Sequence, residues 1–167
     1  DYRLAPEHPF PAALEDAAAA FDYLLAEGYG EKDIVLCGDS AGGGLTLALV
    51  MKLRESGRPL PAAVCVISPW ADLTESGDSH YAKAQVDPLI SSEELREAAA
   101  LYAGTEDLRN PFLSPLFGDF SGFPPTLIQV GGDEVLLDDS RRLAERMQAQ
   151  GVEVHITLYE GLWHVFH

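Results

Sequence analysis

The chain has 167 residues, 47% hydrophobic and 23% charged, an ordinary globular composition with enough length for one domain and a sizeable core. Eleven Lys and Arg against 27 Asp and Glu leave a net charge of −16, which argues against nucleic acid and anionic membrane surfaces as partners. No apolar run approaches the ~20 residues of a membrane span.

Residues 7–11 read as a Pro-rich loop. Leu14, Ala17, Phe21, Leu24 and Leu25 have helical spacing and predict a helix ending near Gly28 and Gly30. Ile34 to Cys37 is a short run of strand formers. Leu45 to Leu53 is apolar at helical spacing, and that helix runs to about Ser56, with Gly57 as its stop. Ala62 to Ile67 is a second strand, ending in Ser68-Pro69-Trp70. From Ala71 to Pro125 the pattern loosens around many Gly and Pro. One helix interrupts it: Ser91 and Glu94 form a capping box, Leu95, Ala98, Ala99 and Tyr102 give a face, and Gly104 ends it. This stretch predicts an excursion over the sheet rather than a second domain. Thr126 to Val130 is a third strand, followed by Gly131-Gly132-Asp133-Glu134. A helix around Leu143 and Met147 stops at Gly151. Val152 to Tyr159 alternates and predicts a fourth strand, with Gly161-Leu162-Trp163-His164 in the loop beyond it. Strands alternating with helices predict a parallel sheet covered on both faces. Cys37 and Cys65 each sit in an apolar strand-like run, which predicts buried core thiols rather than a disulfide framework.

The chemistry concentrates first at Gly38-Asp39-Ser40-Ala41-Gly42-Gly43-Gly44, between the first strand and its helix. A serine at the tip of a strand–turn–helix unit is the context of a nucleophile elbow. Such a turn strains the serine backbone, and side chains at the flanking positions 38 and 42 are expected to collide. A phosphate loop is excluded, because no Lys or Arg occurs between Gly38 and Val50, and the glycine spacing does not fit a dinucleotide fingerprint. A plain Gly-rich strand-to-helix turn stays open on this stretch alone.

In a parallel α/β sheet the strand C-terminal ends share one edge, where sites form. Three such ends carry Ser40, Asp133 and His164, in the chain order of a Ser, acid, His relay. His164 would take the Ser40 proton, Asp133 would fix the imidazole tautomer, and the Ala41 backbone N–H would donate to the oxyanion. Asp133 has rivals in Glu134, Asp138 and Asp139, and the last two suit helix capping better. His164 has rivals in His8, His80, His155 and His167, but His155 is mid-strand and the others do not directly follow a late strand as His164 does. His164, His167, Asp78 and His80 lack the pairing of a metal site.

Six stretches, in order, carry a resemblance: residues 1–12 (DYRLAPEHPFPA), Gly38-Asp-Ser-Ala-Gly-Gly43, residues 67–74 (ISPWADLT), Asn110-Pro with Ser114-Pro-Leu, residues 124–137 (PPTLIQVGGDEVLL) and residues 161–166 (GLWHVF). Together they resemble the hormone-sensitive-lipase-like bacterial carboxylesterases of the α/β-hydrolase fold. The resemblance implies a three-layer fold represented by its C-terminal half, with about four parallel strands flanked by helices. It implies nucleophile Ser40, acid Asp133 and base His164, short- to medium-chain acyl ester substrates, and no metal or organic cofactor. The upstream H-G-G-type oxyanion motif of such enzymes is not present. The expectation is therefore a partial catalytic domain over residues 1–167, without the N-terminal half and final helix. Residues 71–125 would contribute to an acyl pocket or lid. A cytoplasmic location is expected, with a leader upstream left open. The contrasting readings are a ligand-binding relative without turnover, and a truncated piece inactive by itself.

Overall fold

The computed structural model describes residues 2–167; Asp1, which opens the first motif, lies outside the described residues. The helices are α1 (Ala12–Ala26), α2 (Ala41–Glu55), α3 (Ser79–Ala82), α4 (Ser92–Ala103) and α5 (Leu137–Ala149). The strands are β1 (Val35–Asp39), β2 (Ala63–Ile67), β3 (Thr126–Gly131) and β4 (Val154–Tyr159). The strands form one parallel sheet in the order β1-β2-β3-β4. Helical and strand periodicities thus resolve where they were predicted. The short α3 is an addition, because four residues are too few to show a helical period.

The core explains this layering. Leu47, Val50 and Met51 of α2 and Leu143, Ala144 and Met147 of α5 bury against Val64, Val66 and Ile128 of the sheet. Each fully buried side chain of this kind contributes about 1.5–3 kcal/mol. Leu14, Ala18 and Phe21 of α1 then pack on Ala48, Leu49 and Leu53 of α2. On the opposite face of the sheet, Val35 and Cys37 are exposed and Cys65 is half-buried. Cys37 therefore departs from the buried thiol expected of it. It faces Cys65 across the β1–β2 register, both thiols free, on the face these residues leave uncovered.

The excursion is tied down at α4 and at α5. Ser91 caps α4: its Oγ accepts from Glu94 N at 3.3 Å, and Glu94 Oε2 accepts from Ser91 N at 3.0 Å. Leu95, Ala99 and Ala103 of α4 pack with Trp70, Leu73, Leu113, Val135 and Leu136, which fixes the turn after β3. Asp138 and Asp139 do not cap α5, as suited them in the sequence; they reach outward to the excursion. Asp138 Oδ2 accepts from Ser79 N, and Asp139 Oδ2 accepts from Ala71 N and Asp72 N, each at 2.9 Å. Burial pushes the Asp139 carboxyl above the usual aspartate value, against the opposing pull of His80 at 3.5 Å.

Asp72 behaves oppositely. Its burial raises the carboxyl, but the hydroxyls and backbone N–H groups of Ser76 and Thr74 outweigh that and hold it below the usual value. Arg142 Nη1 adds a contact at 3.2 Å. A carboxyl lowered by folding stabilises the fold above the unfolded-chain value of about 3.9, and that contribution is lost as pH falls through the folded value. Asp72→Asn is therefore expected to cost roughly 1.5–3 kcal/mol at pH 7. Thermal unfolding across pH should show the gap to the parent protein closing as the solution is acidified past an ordinary aspartate. A gap of constant size would rule out the charge on Asp72 as its cause.

Candidate active site

The C-terminal ends of the four strands meet at one edge, and the site is assembled there. Ser40 is the residue between β1 and α2, with φ 51° and ψ −121°, a combination that only a tightly determined turn imposes on a non-glycine residue. Its N–H donates to Ile67 O at 2.9 Å, and Trp70 N donates to its carbonyl at 2.9 Å, so the end of β2 clamps the turn on both sides. The flanking glycines are not equivalent. A Cβ at Gly38 would lie 2.2 Å from Gly42 O, whereas one at Gly42 would meet only Asp39 Oδ1 at 3.8 Å. The collision expected at both positions is real at Gly38 alone. Close approach matters again at Gly44, where a Cβ would sit 2.3 Å from Trp70 O.

His164 follows β4 in the loop expected for it and is 4% exposed. Its Nε2 lies 2.9 Å from Ser40 Oγ. Its Nδ1 lies 3.2 Å from a carboxylate oxygen, and that oxygen is Glu134 Oε1. An ionised carboxylate only accepts, so Nδ1 carries the proton and Nε2 is left to accept from the Ser40 hydroxyl.

Asp133, the acid the sequence favoured, is not the carboxylate brought to His164. Its side chain is 41% exposed and its Oδ1 accepts from Lys83 Nζ at 3.0 Å. Its backbone N–H donates to Leu162 O, which turns the side chain of the following residue inward. Glu134 is 0% exposed, and its Oε2 accepts from Gly131 N at 2.8 Å and from Ser68 Oγ at 2.7 Å. The sequence by itself leaves Glu134 open as a rival to Asp133 and gives Ser68 no role. The only signal for Ser68 was its place at a strand end on the same edge as Ser40.

Ala41 opens α2, and with Gly44 it lines one wall of an apolar cavity of about 320 Å³. Leu73, Leu113 and, from α4, Ala98 and Leu101 are among the residues that line it further. Among the described residues, no three His, Cys, Asp or Glu side chains gather as a metal site would require. His80 instead sits buried beside Asp139, and His155 lies within β4 as its mid-strand position suggested.

The chain as a whole is similar to proteins of one family. A family model described as the alpha/beta hydrolase fold matches residues 1–167. An acetyl-hydrolase of Streptomyces hygroscopicus is 46% identical over 166 residues, covering 99% of this chain and 56% of the relative. An esterase of Acinetobacter venetianus is 42% identical over 168 residues, covering 99% and 55%. The crystal structure of an esterase from the bacterial hormone-sensitive lipase family superposes with a TM-score of 0.98 at 48% identity, covering 99% of this chain and 56% of that one. The chain thus spans about half the length of the relatives it matches, and the family resemblance carried by its motifs is borne out.

Proposed function

Since the chain belongs to the alpha/beta hydrolase fold family, we propose that it carries the nucleophile, base and orienting carboxylate of a serine carboxylesterase. The observation that carries the reading is the continuous contact from Ser40 Oγ through both ring nitrogens of His164 to Glu134. The strained backbone of Ser40 presents its hydroxyl at the sheet edge. As Oγ bonds to the ester carbonyl carbon, its proton moves to His164 Nε2, and the carbonyl oxygen takes up the negative charge. The Ala41 N–H, at the N-terminus of α2, is a donor for that oxyanion. Collapse breaks the bond to the alkoxy group, which leaves with the proton from His164. Water then attacks the acyl-enzyme with His164 again as base, and Ser40 is regenerated. Glu134 holds the imidazole tautomer and stabilises its cation. Asp133 is assigned to the Lys83 ion pair instead.

The substrates proposed are short- to medium-chain acyl esters. The apolar cavity beside Ala41 supports this: about 320 Å³ suits a modest acyl chain, and its walls offer apolar contact. The relatives named acetyl-hydrolase and esterase point the same way. No described helix is long and apolar enough to cross a membrane.

The test is turnover of p-nitrophenyl acetate, butyrate, octanoate and palmitate by the full-length protein. Butyrate should be hydrolysed well above palmitate. Ala98→Phe, which pushes a ring into the cavity, should spare butyrate and lower kcat/KM on octanoate by about 10-fold or more. Tight binding of acyl ligands without turnover would replace the esterase reading with that of a ligand-binding relative.

A further inference from the structure

Ser68 has no task in the proposed hydrolysis, yet its surroundings are those of the site. It is 0% exposed at the end of β2 and carries φ 46°, a conformation that disfavours any side chain. Its hydroxyl donates to Glu134 Oε2 at 2.7 Å. Ser68 Oγ also accepts from Val165 N at 3.2 Å, and Val165, at φ 48°, directly follows His164. Its own N–H is fixed to Gln129 O of β3 at 2.7 Å, and its chain neighbour Ile67 accepts from Ser40 N. One side-chain oxygen thus bridges the carboxylate and the histidine loop, at the point of the backbone that also clamps the nucleophile turn.

We infer that Ser68 is a positioning residue for the hydrolysis, locking Glu134 and the His164 loop into one geometry through a single hydroxyl. This rests on the reading that Glu134 orients His164. Without the hydroxyl, Glu134 Oε2 retains only the Gly131 N–H, and Val165 N loses its acceptor. The carboxylate is then free to rotate away from Nδ1. A strained backbone retained at a buried serine fits a position held for its hydroxyl rather than for packing, since glycine would relieve the strain.

The experiment measures kcat, KM and unfolding midpoint on p-nitrophenyl butyrate in the full-length protein. Ser68→Ala is expected to lower kcat roughly 10- to 100-fold, the loss of a hydrogen bond to a charged group, with KM unchanged. Ser68→Gly removes the hydroxyl while accommodating φ 46°. It should match the alanine variant in kcat and exceed it in midpoint, which separates positioning from folding. In the double variant Ser68→Ala with Glu134→Gln the losses should fall well short of additive, because both act largely through the same carboxylate and only the Val165 N–H contact lies outside it. Fully additive losses, or single variants within about threefold of the parent, would overturn the inference while a slow Glu134→Gln preserved the reading beneath it. If Glu134→Gln alone leaves kcat intact, both fall together.

Discussion

Ser40→Ala should reduce kcat for p-nitrophenyl butyrate by about 10⁶-fold and leave KM within a small factor. The size follows from what the hydroxyl does. In the proposed reaction it is the atom that bonds to the substrate carbon, and losing the serine of such a relay costs about as much as losing all three members. KM is spared because the cavity walls, Leu73, Ala98, Leu101 and Leu113 among them, do not involve Ser40 Oγ. Stability should not suffer. The backbone at φ 51° is held by Ser40 N to Ile67 O and Trp70 N to Ser40 O, and alanine retains both bonds. A fluorophosphonate should label the parent protein at Ser40 and fail to label the variant, with the site located by mass spectrometry. Ser68 and Ser114 are the informative controls. Both are fully buried, and both hydroxyls are engaged, Ser68 with Glu134 and Ser114 with Leu108 O. Label found on either would displace Ser40 as nucleophile.

What was legible in the chain before its structure divides along physical lines. The strands and the edge they share were readable because apolar periods and glycine stops are local, and a strand end commits the next residue to the edge. Ser40 and His164 fell at such ends, and their side chains meet at 2.9 Å. The choice between Asp133 and Glu134 was not readable. The two are adjacent, and which one turns inward depends on contacts made far away: Asp133 N with Leu162 O, and Gly132 N with Tyr159 O. The place of Ser68 at a strand end was readable but its role was not, since its partners lie 66 and 97 residues further along the chain. Asp138 and Asp139 looked like helix caps by position, but their oxygens face loop N–H groups that only the folded excursion supplies. Cys37 reads as core from an apolar run, yet period-two alternation puts it on the sheet face that these residues leave exposed.

Glu134→Gln should lower kcat by about 10⁴-fold, whereas Asp133→Asn should change it by less than about threefold, the cost of a position outside the relay. Glutamine keeps the length and shape of the side chain, so packing around residue 134 is little changed. What changes is the partner offered to His164 Nδ1. An amide can present its NH2, which favours the proton on Nε2, where it points at Ser40 and prevents the ring from accepting the serine proton. The amide also brings no charge to offset the imidazolium that the proposed attack by Ser40 would form, in a site where the histidine is 4% exposed and water screens little. Asp133 has no such lever. Its carboxylate is paired with Lys83 at 3.0 Å and reaches solvent, and an exposed pair of that kind is worth about 0–1 kcal/mol. Its backbone N–H to Leu162 O survives the change to asparagine. The measurement is kcat and KM for the two variants side by side on p-nitrophenyl butyrate, with unfolding midpoints to show that both are folded. A slow Asp133→Asn beside a fast Glu134→Gln would return the acid to Asp133, and would require the turn after β3 to rearrange during catalysis so that Asp133 leaves Lys83 for His164.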